Sequence, residues 1–301
     1  MNILICGAKG QLGIELRRAL ESGVTDLGLI SDVYQEAQIF CTDTEELDIT
    51  DKNKVLEFIK SNDIDLVINC AAMTNVDGCE GREEIAYRIN AFGALNLAEA
   101  AEARGIKLVH ISTDYVFSGD EGKEYVETDT TNPKNAYGRT KLAGENFVLN
   151  ACKSSFVVRT AWLFGAKGPN FVRTILKLAK EKAEISVVDD QCGNPTYAND
   201  LAYEILQIAV SDEYGIYHCT NNGICSWFEF ASAIVDGARI ECKVIPCTTE
   251  QFPRAAKRPV YSPLKNKRLQ DTIGDEMRIW QDALAAYLQR IAAGETDEGA
   301  M

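Results

Sequence analysis

Apolar and polar positions along this chain fall into two rhythms that take turns. Short, nearly continuous apolar runs at 2–6, 38–42, 65–71, 107–112 and 155–159 read as strands buried on both faces. Between them, apolar residues recur at helical spacing over 11–22, 52–61, 82–104 and 136–150. Strand and helix in alternation predict an α/β fold, a Rossmann-like doubly wound parallel sheet with helices on both faces. Beyond Arg159 the rhythm changes: helical patterns near 170–182, 199–210, 226–238 and 278–292 mix with short strands near 185–188, 215–220 and 243–247. Pro246, Pro253, Pro259 and Pro263 crowd a loop-rich stretch there. The expected division is a Rossmann domain over 1–160, joined by parts of 185–225, and a smaller interleaved α/β substrate domain mainly within 161–301. Residues 23–37 read as an insertion, and the acidic tail 295–301 as frayed.

With 301 residues and 46% hydrophobic content the chain can bury one large or two modest cores. It contains no run of about 18 apolar residues. Its start, Met1-Asn-Ile-Leu-Ile-Cys-Gly7, lacks the basic leader of a signal peptide and runs straight into a strand. Ten cysteines are scattered without any C-x-x-C spacing, as in a reduced, cytoplasmic protein with neither disulfides nor a zinc site. A net charge of −14 argues against nucleic acid as a partner. One stretch departs from that balance. Residues 251–270 hold Arg254, Lys257, Arg258, Lys265, Lys267 and Arg268 and no acid, either a solvated basic face or an anchor for an anionic small molecule.

The first strand runs into Gly7-Ala-Lys-Gly10-Gln11-Leu12-Gly13 and then a helix. Glycines in a first βα turn allow backbone N–H groups to approach a pyrophosphate at the positive end of a helix, so this loop is the expected dinucleotide site. Asp43, after the second strand, can accept from a ribose 2′-OH, and no Arg or Lys follows it to hold a 2′-phosphate, which favours NADH over NADPH. His110-Ile-Ser-Thr113-Asp114 ends a strand with a hydroxyl and a carboxyl, where open α/β sheets place ligands. Tyr137 and Lys141 lie four residues apart in Asn135-Ala-Tyr-Gly-Arg-Thr-Lys141, on one face of a helix. A neighbouring ammonium and a cationic cofactor should favour the phenolate and bring the phenol into range for proton transfer. Tyr261 and Lys265 repeat the spacing, but Pro263 between them argues against a helix.

These residues, with Asn90 on the preceding helix, resemble the extended short-chain dehydrogenase/reductases. Gly7–Gly13, Leu47-Asp48-Ile49-Thr50, Ser112–Phe117, Asn135–Glu145, Arg159-Thr-Ala-Trp162 and Asp190–Thr196 are similar to the dTDP-4-dehydrorhamnose reductase family within them, over residues 1 to about 270. The resemblance implies a catalytic set of Thr113, Tyr137, Lys141 and Asn90, with Asn90 supporting a water that reprotonates the lysine. It implies a cofactor wall of Gly10–Leu12, Asp48, Ile49, Ala71, Ala72 and Met73, together with the catalytic Tyr137 and Lys141. Thr113, Asp114 and Trp162 would touch the sugar, and Arg258 would close over the nucleotide. The implied reaction is reduction of the 4-keto group of a dTDP-linked 6-deoxy sugar by NADH or NADPH, in a monomer or homodimer. Met73 stands where family members often carry Tyr or His. Some members bind magnesium through a residue equivalent to Glu15; read as an ordinary surface residue, Glu15 alone predicts no metal. Other nucleotide-sugar epimerases, dehydratases or ketoreductases of the superfamily are the alternative, as is a non-catalytic regulatory subunit of a methionine adenosyltransferase. The absence of an Asp-Glu pair after Thr113 favours simple reduction over dehydration.

Overall fold

A computed structural model describes residues 1–294; the acidic tail lies outside the described residues. The longer strands are β1 (Asn2–Cys6), β2 (Gln38–Thr42), β3 (Leu66–Asn69), β4 (Lys107–Thr113), β5 (Ser155–Thr160), β6 (Glu184–Val188), β7 (Gly215–His218) and β8 (Lys243–Cys247). The longer helices are α1 (Gln11–Ser22), α2 (Lys52–Ser61), α3 (Ala94–Arg104), α4 (Ala136–Ala151), α5 (Phe171–Glu181), α6 (Ala198–Val210), α7 (Trp227–Gly237) and α8 (Trp280–Ala292).

Six strands form one parallel sheet in the order β7-β5-β4-β3-β1-β2. The continuous apolar runs are explained by burial from two sides. Ile3 and Ile5 of β1 pack toward Leu12 and Leu16 of α1 and Leu201 and Ile205 of α6. Leu4 and Cys6, pointing oppositely because side chains alternate along a strand, join Val55 and Ile59 of α2, Leu97 of α3 and Val148 of α4. Chain order reverses between β1 and β3, which opens a crevice at their carboxyl ends.

The second half has its own core. Val172 and Ile175 of α5, Ile185 and Val187 of β6, Phe230 and Ile234 of α7 and Leu284 and Tyr287 of α8 gather around Phe164. Here β6 and β8 pair in parallel as a separate two-stranded sheet.

The helix expected over 82–104 is present and contains a π segment: Glu83–Tyr87 is α-helical, Arg88–Gly93 is π-helical, and α3 continues from Ala94. A π-turn preserves apolar spacing well enough to escape a periodicity test. Residues 23–37 include a short hairpin over 24–29, and Tyr34 is buried with its hydroxyl donating to the Leu206 carbonyl at 2.6 Å. Glu15 is not on the surface. It is buried in α1, where its carboxylate accepts from Asn199 at 2.9 Å and faces Arg290 at 3.3 Å. The cationic and amide donors around Glu15 occupy its carboxylate within the chain. Among the described residues no helix is long and apolar enough to cross a membrane.

A buried ion pair ties α4 to the sheet. Arg159 of β5 donates through Nε and Nη2 to both oxygens of Glu145, at 2.9 and 2.7 Å, and its guanidinium lies over the Phe117 ring. Glu145→Ala leaves a buried, uncompensated charge and is expected to lower unfolding stability by about 3–5 kcal/mol, read from urea denaturation.

Candidate active site

At the crevice the carboxyl ends of the strands and the start of α4 enclose a cleft of about 840 Å³. Its floor is the turn after β1. Gly7 has φ +73°, and a Cβ there would come within 2.8 Å of the Ala71 nitrogen; a Cβ on Gly13 would come within 2.5 Å of the Gly7 carbonyl. Only glycine permits this closeness. Gly10 caps α1 without a side-chain hydrogen bond, and the first turn carries no acid. The helix therefore presents free N–H groups and its positive end to the cleft, which suits a pyrophosphate. Gly10, Gln11, Leu12, Asp43, Asp48, Ile49, Ala71 and Ala72 line the same wall. Asp48 is held by Thr50, which donates through its backbone N–H and its hydroxyl; these bonds keep the carboxyl ionised below its usual range. The residues present fit a dinucleotide.

Asp43 accepts from the Lys9 backbone N–H at 2.8 Å, and the Lys9 amine reaches Glu46 at 3.2 Å. The glycine turn thus brings Lys9 beside Asp43, with its amine on Glu45 and Glu46. No basic residue follows Asp43 in sequence, so the linear reading missed it.

On the opposite wall Thr113, Asp114, Tyr137, Lys141 and Trp162 meet. Asn135 caps α4 by accepting from the Gly138 N–H at 2.8 Å, which fixes Tyr137 in the first turn. The Tyr137 ring packs edge-on against Tyr115, with centroids 5.6 Å apart. The protein's own groups act on its phenol in both directions. Burial raises it above its usual range, Thr113 as hydrogen-bonding neighbour opposes this, and Asp114 adds to it. Tyr137 is therefore a protonated acid at neutral pH. Lys141 is 2% exposed, donates to the Ile111 carbonyl at 2.6 Å, and is pushed down to about 8 by burial, which outweighs the opposing charge of Glu145.

Asp114 is buried with both oxygens engaged, one accepting from Thr113 at 3.0 Å and the other from Ser262 at 2.7 Å. Burial lifts its carboxyl to about 6 against those bonds. Its contacts make it an anchor for the Thr113 hydroxyl. Trp162 holds φ 47° and stacks on Trp227 with ring centroids 3.5 Å apart. Gly193 leaves room for the indole, since a Cβ there would lie 2.7 Å from it.

Three expected site residues are not on the wall. Asn90 is buried behind it: its amide accepts from the Met73 N–H at 2.7 Å and donates to Thr140 at 3.0 Å and to the Met73 carbonyl at 3.3 Å. A buried amide must satisfy both ends, and these partners do so without the cleft. Met73 packs its side chain with Cys79, Ala86, Ala136 and Tyr137. Arg258 is held by Asp77 at 2.9 Å, though its Nη1 is buried without a hydrogen-bond partner. The basic stretch is also split by the fold: Lys267 pairs with Asp271, and Arg268 lies over Tyr217 and donates to the Tyr214 carbonyl, away from the cleft. Tyr261 and Lys265 sit in extended backbone, with no helix between them. Trp227, Ser112 and Thr160 also line the cleft and were not foreseen. The hydroxyls of Ser112 and Thr160 are buried there without partners. Ser112 and Thr160 fall within the Ser112–Phe117 and Arg159–Trp162 motifs, but only the fold brings them and Trp227 to one cleft.

Residues 1–293 match the family described as RmlD substrate binding domain. The chain belongs to that family. It is 39% identical over 287 residues to the spore coat polysaccharide biosynthesis protein SpsK of Bacillus subtilis (strain 168), covering 95% of this chain and 96% of that protein. Among solved structures, the dTDP-4-dehydrorhamnose reductase of Clostridium acetobutylicum ATCC 824 is 46% identical with a TM-score of 0.91, covering 97% of this chain and 100% of that one. The dTDP-4-dehydrorhamnose reductase of Bacillus anthracis str. Ames, solved with NADP, is 41% identical with a TM-score of 0.90, covering 96% and 99%. Membership agrees with the Rossmann-type α/β architecture and with a dinucleotide crevice at the end of β1.

Gly13→Ala forces the Gly7 carbonyl out of the floor of the turn. It is expected to weaken NADPH binding by about tenfold or more, measured by fluorescence titration, with the melting temperature changed far less than the affinity.

Proposed function

We propose that this chain reduces the 4-keto group of dTDP-4-dehydro-L-rhamnose to dTDP-L-rhamnose, a precursor of cell-surface polysaccharide. The observation that carries the reading is the convergence of Thr113, Tyr137 and Lys141 on one cleft whose floor is an uncapped helix N-terminus behind a glycine turn. Relatives that bear the reductase name align with nearly the whole chain.

A reduced nicotinamide bound in the cleft supplies the hydride. The chain supplies the proton and the orientation. Tyr137 hydrogen-bonds the ketone oxygen, and Thr113 joins it by turning its one hydroxyl proton from Asp114 to that oxygen when the sugar binds; together they draw off the charge that develops there. Tyr137, kept protonated by burial, gives its proton to that oxygen. Lys141 then returns a proton to the phenolate and, held by Ile111, stays aligned for it. Trp162 and Trp227 offer a flat apolar wall to the sugar. Asn90 acts by tying the Met73 loop to α4. Lys9 beside Asp43, and the NADP bound to the Bacillus anthracis relative, support NADPH alongside NADH. The orphaned Nη1 of Arg258 supports a role in closing on the nucleotide diphosphate. In this reading the sheet and its helices, mainly residues 1–160, bind the cofactor, and the second core, mainly within 161–301, presents the sugar. One chain supplies every group named, so a monomer or a homodimer serves equally. Ten free cysteines suit a reducing cytoplasm.

Oxidation of NADPH and of NADH with dTDP-4-dehydro-L-rhamnose as substrate tests the reading directly. Tyr137→Phe should lower kcat by about two to four orders of magnitude, with cofactor affinity nearly unchanged; near-full turnover in this variant would remove Tyr137 from the acid role. Reduction consumes a proton, so activity should be high while Lys141 is charged and fall on the alkaline side of about 8. A kcat profile against pH shows whether that limb exists.

A further inference from the structure

His110 lies on β4, immediately behind the reacting pair, and the reading above gives it no task. Its ring is buried between two residues whose hydrogen-bonding roles are already settled. The Asn69 side-chain oxygen accepts from the Ala71 N–H at 3.1 Å. Its amide nitrogen must then be the atom that faces His110 Nδ1 at 3.0 Å, and an amide nitrogen can only donate. Nδ1 is therefore the acceptor. Burial and the neighbouring Lys141 hold the ring well below its usual range, so it is neutral. A neutral ring that accepts at Nδ1 carries its one proton on Nε2. That N–H faces Lys141 Nζ, 3.4 Å away.

An N–H directed at an ammonium is a mismatch, because both are donors. Directed at a neutral amine it is a hydrogen bond. The lysine passes through both states in each turnover, charged before it returns a proton to the Tyr137 phenolate and neutral afterwards.

We propose that His110 is a positioning residue for Lys141: Asn69 locks the imidazole with its proton on Nε2, and this N–H receives the lysine amine when it becomes neutral. No bond to hydrogen breaks at the histidine; it donates to the amine lone pair and releases it when the amine is protonated again. The arrangement favours the neutral lysine and so makes the charged one a stronger acid toward the phenolate. Asn69 is bound to the Ala71 backbone, and Ala71 lines the cleft, so the turn that walls the cofactor also sets the histidine tautomer. The other titratable groups acting on the amine are Glu145 on its own helix and Cys70, just past the end of β3, with Tyr137 one helical turn before it. Glu145 is committed to Arg159, and neither Tyr137 nor Cys70 supplies a charge at neutral pH.

The inference rests on Lys141 acting in the proposed reduction, so the first test needs no turnover. The chain has only two histidines, and nitrogen-15 NMR resolves their ring nitrogens. His110 should show a bare Nδ1 and a protonated Nε2 from pH 6 to 8; a protonated Nδ1 overturns the proposal even if the enzyme is a good reductase. The second test is kinetic. Asn69→Asp keeps the Ala71 contact but accepts from Nδ1–H, which turns Nε2 into an acceptor for the ammonium; the alkaline limb of kcat should rise by about one pH unit. In a His110→Phe background the same Asn69→Asp change should move it far less, whereas an equal shift in both means charge alone acts and the histidine does not. His110→Gln can accept from Asn69 and donate to Lys141 as the imidazole does. It should keep kcat within about threefold, while His110→Phe loses about tenfold with KM for NADPH unchanged. Equal loss in Gln and Phe variants would also overturn the proposal. Absence of reductase activity in the wild-type protein, with the NMR result as expected, would count against the reduction alone.

Discussion

An amine has been buried at the carboxyl edge of a parallel sheet, and much of the site follows from that. Lys141 is nearly inaccessible, so its amine must find partners inside the protein. The Ile111 carbonyl supplies one at the end of β4, in a position fixed by the sheet register. To reach it, α4 must begin close to the turn that follows β4, and this places Tyr137 beside Thr113 and Tyr115. The Arg159–Glu145 pair one turn further along then fastens α4 to β5. Burial is also what makes the pair useful, since it keeps the phenol protonated and lets the amine lose its proton near neutrality.

The polar groups around this edge are satisfied in series. Asn90 closes the Met73 loop onto α4, Asp114 takes the Thr113 and Ser262 hydroxyls, and Asn69 joins the Ala71 backbone to His110. Each leaves its partners with few orientations to choose from, which is what preorganisation means physically. The unsatisfied atoms are as informative. Ser112 and Thr160 keep buried hydroxyls without partners, and both line the cleft. Buried polar atoms are ordinarily paired, so these two stand apart from the satisfied groups around them.

The two halves of the chain contribute different kinds of surface. The sheet side offers backbone N–H groups, glycines and short polar residues, suited to phosphates and ribose hydroxyls. The other side offers stacked indoles, Trp162 on Trp227, brought together from a loop and the start of α7. A nucleotide-linked sugar presents both chemistries, which is why a second, separately packed core beside the dinucleotide crevice makes physical sense.

The sequence alone determined the sheet and its helices, because apolar periodicity records burial directly and strands buried on both faces have no polar alternation to confuse it. It also determined the glycine turn and the Tyr137–Lys141 pair, since both are local: a turn needs its glycines in order, and a helix brings residues four apart together. Only the tertiary structure decided what is not local. The burial of Glu15 under Arg290, Lys9 beside Asp43 and the dispersal of the 251–270 basic residues all depend on chain segments distant in sequence. So do the roles of Asn90 and His110. An amide or an imidazole has several ways to hydrogen-bond, and which one it adopts is set by the partners that folding places on each side of it.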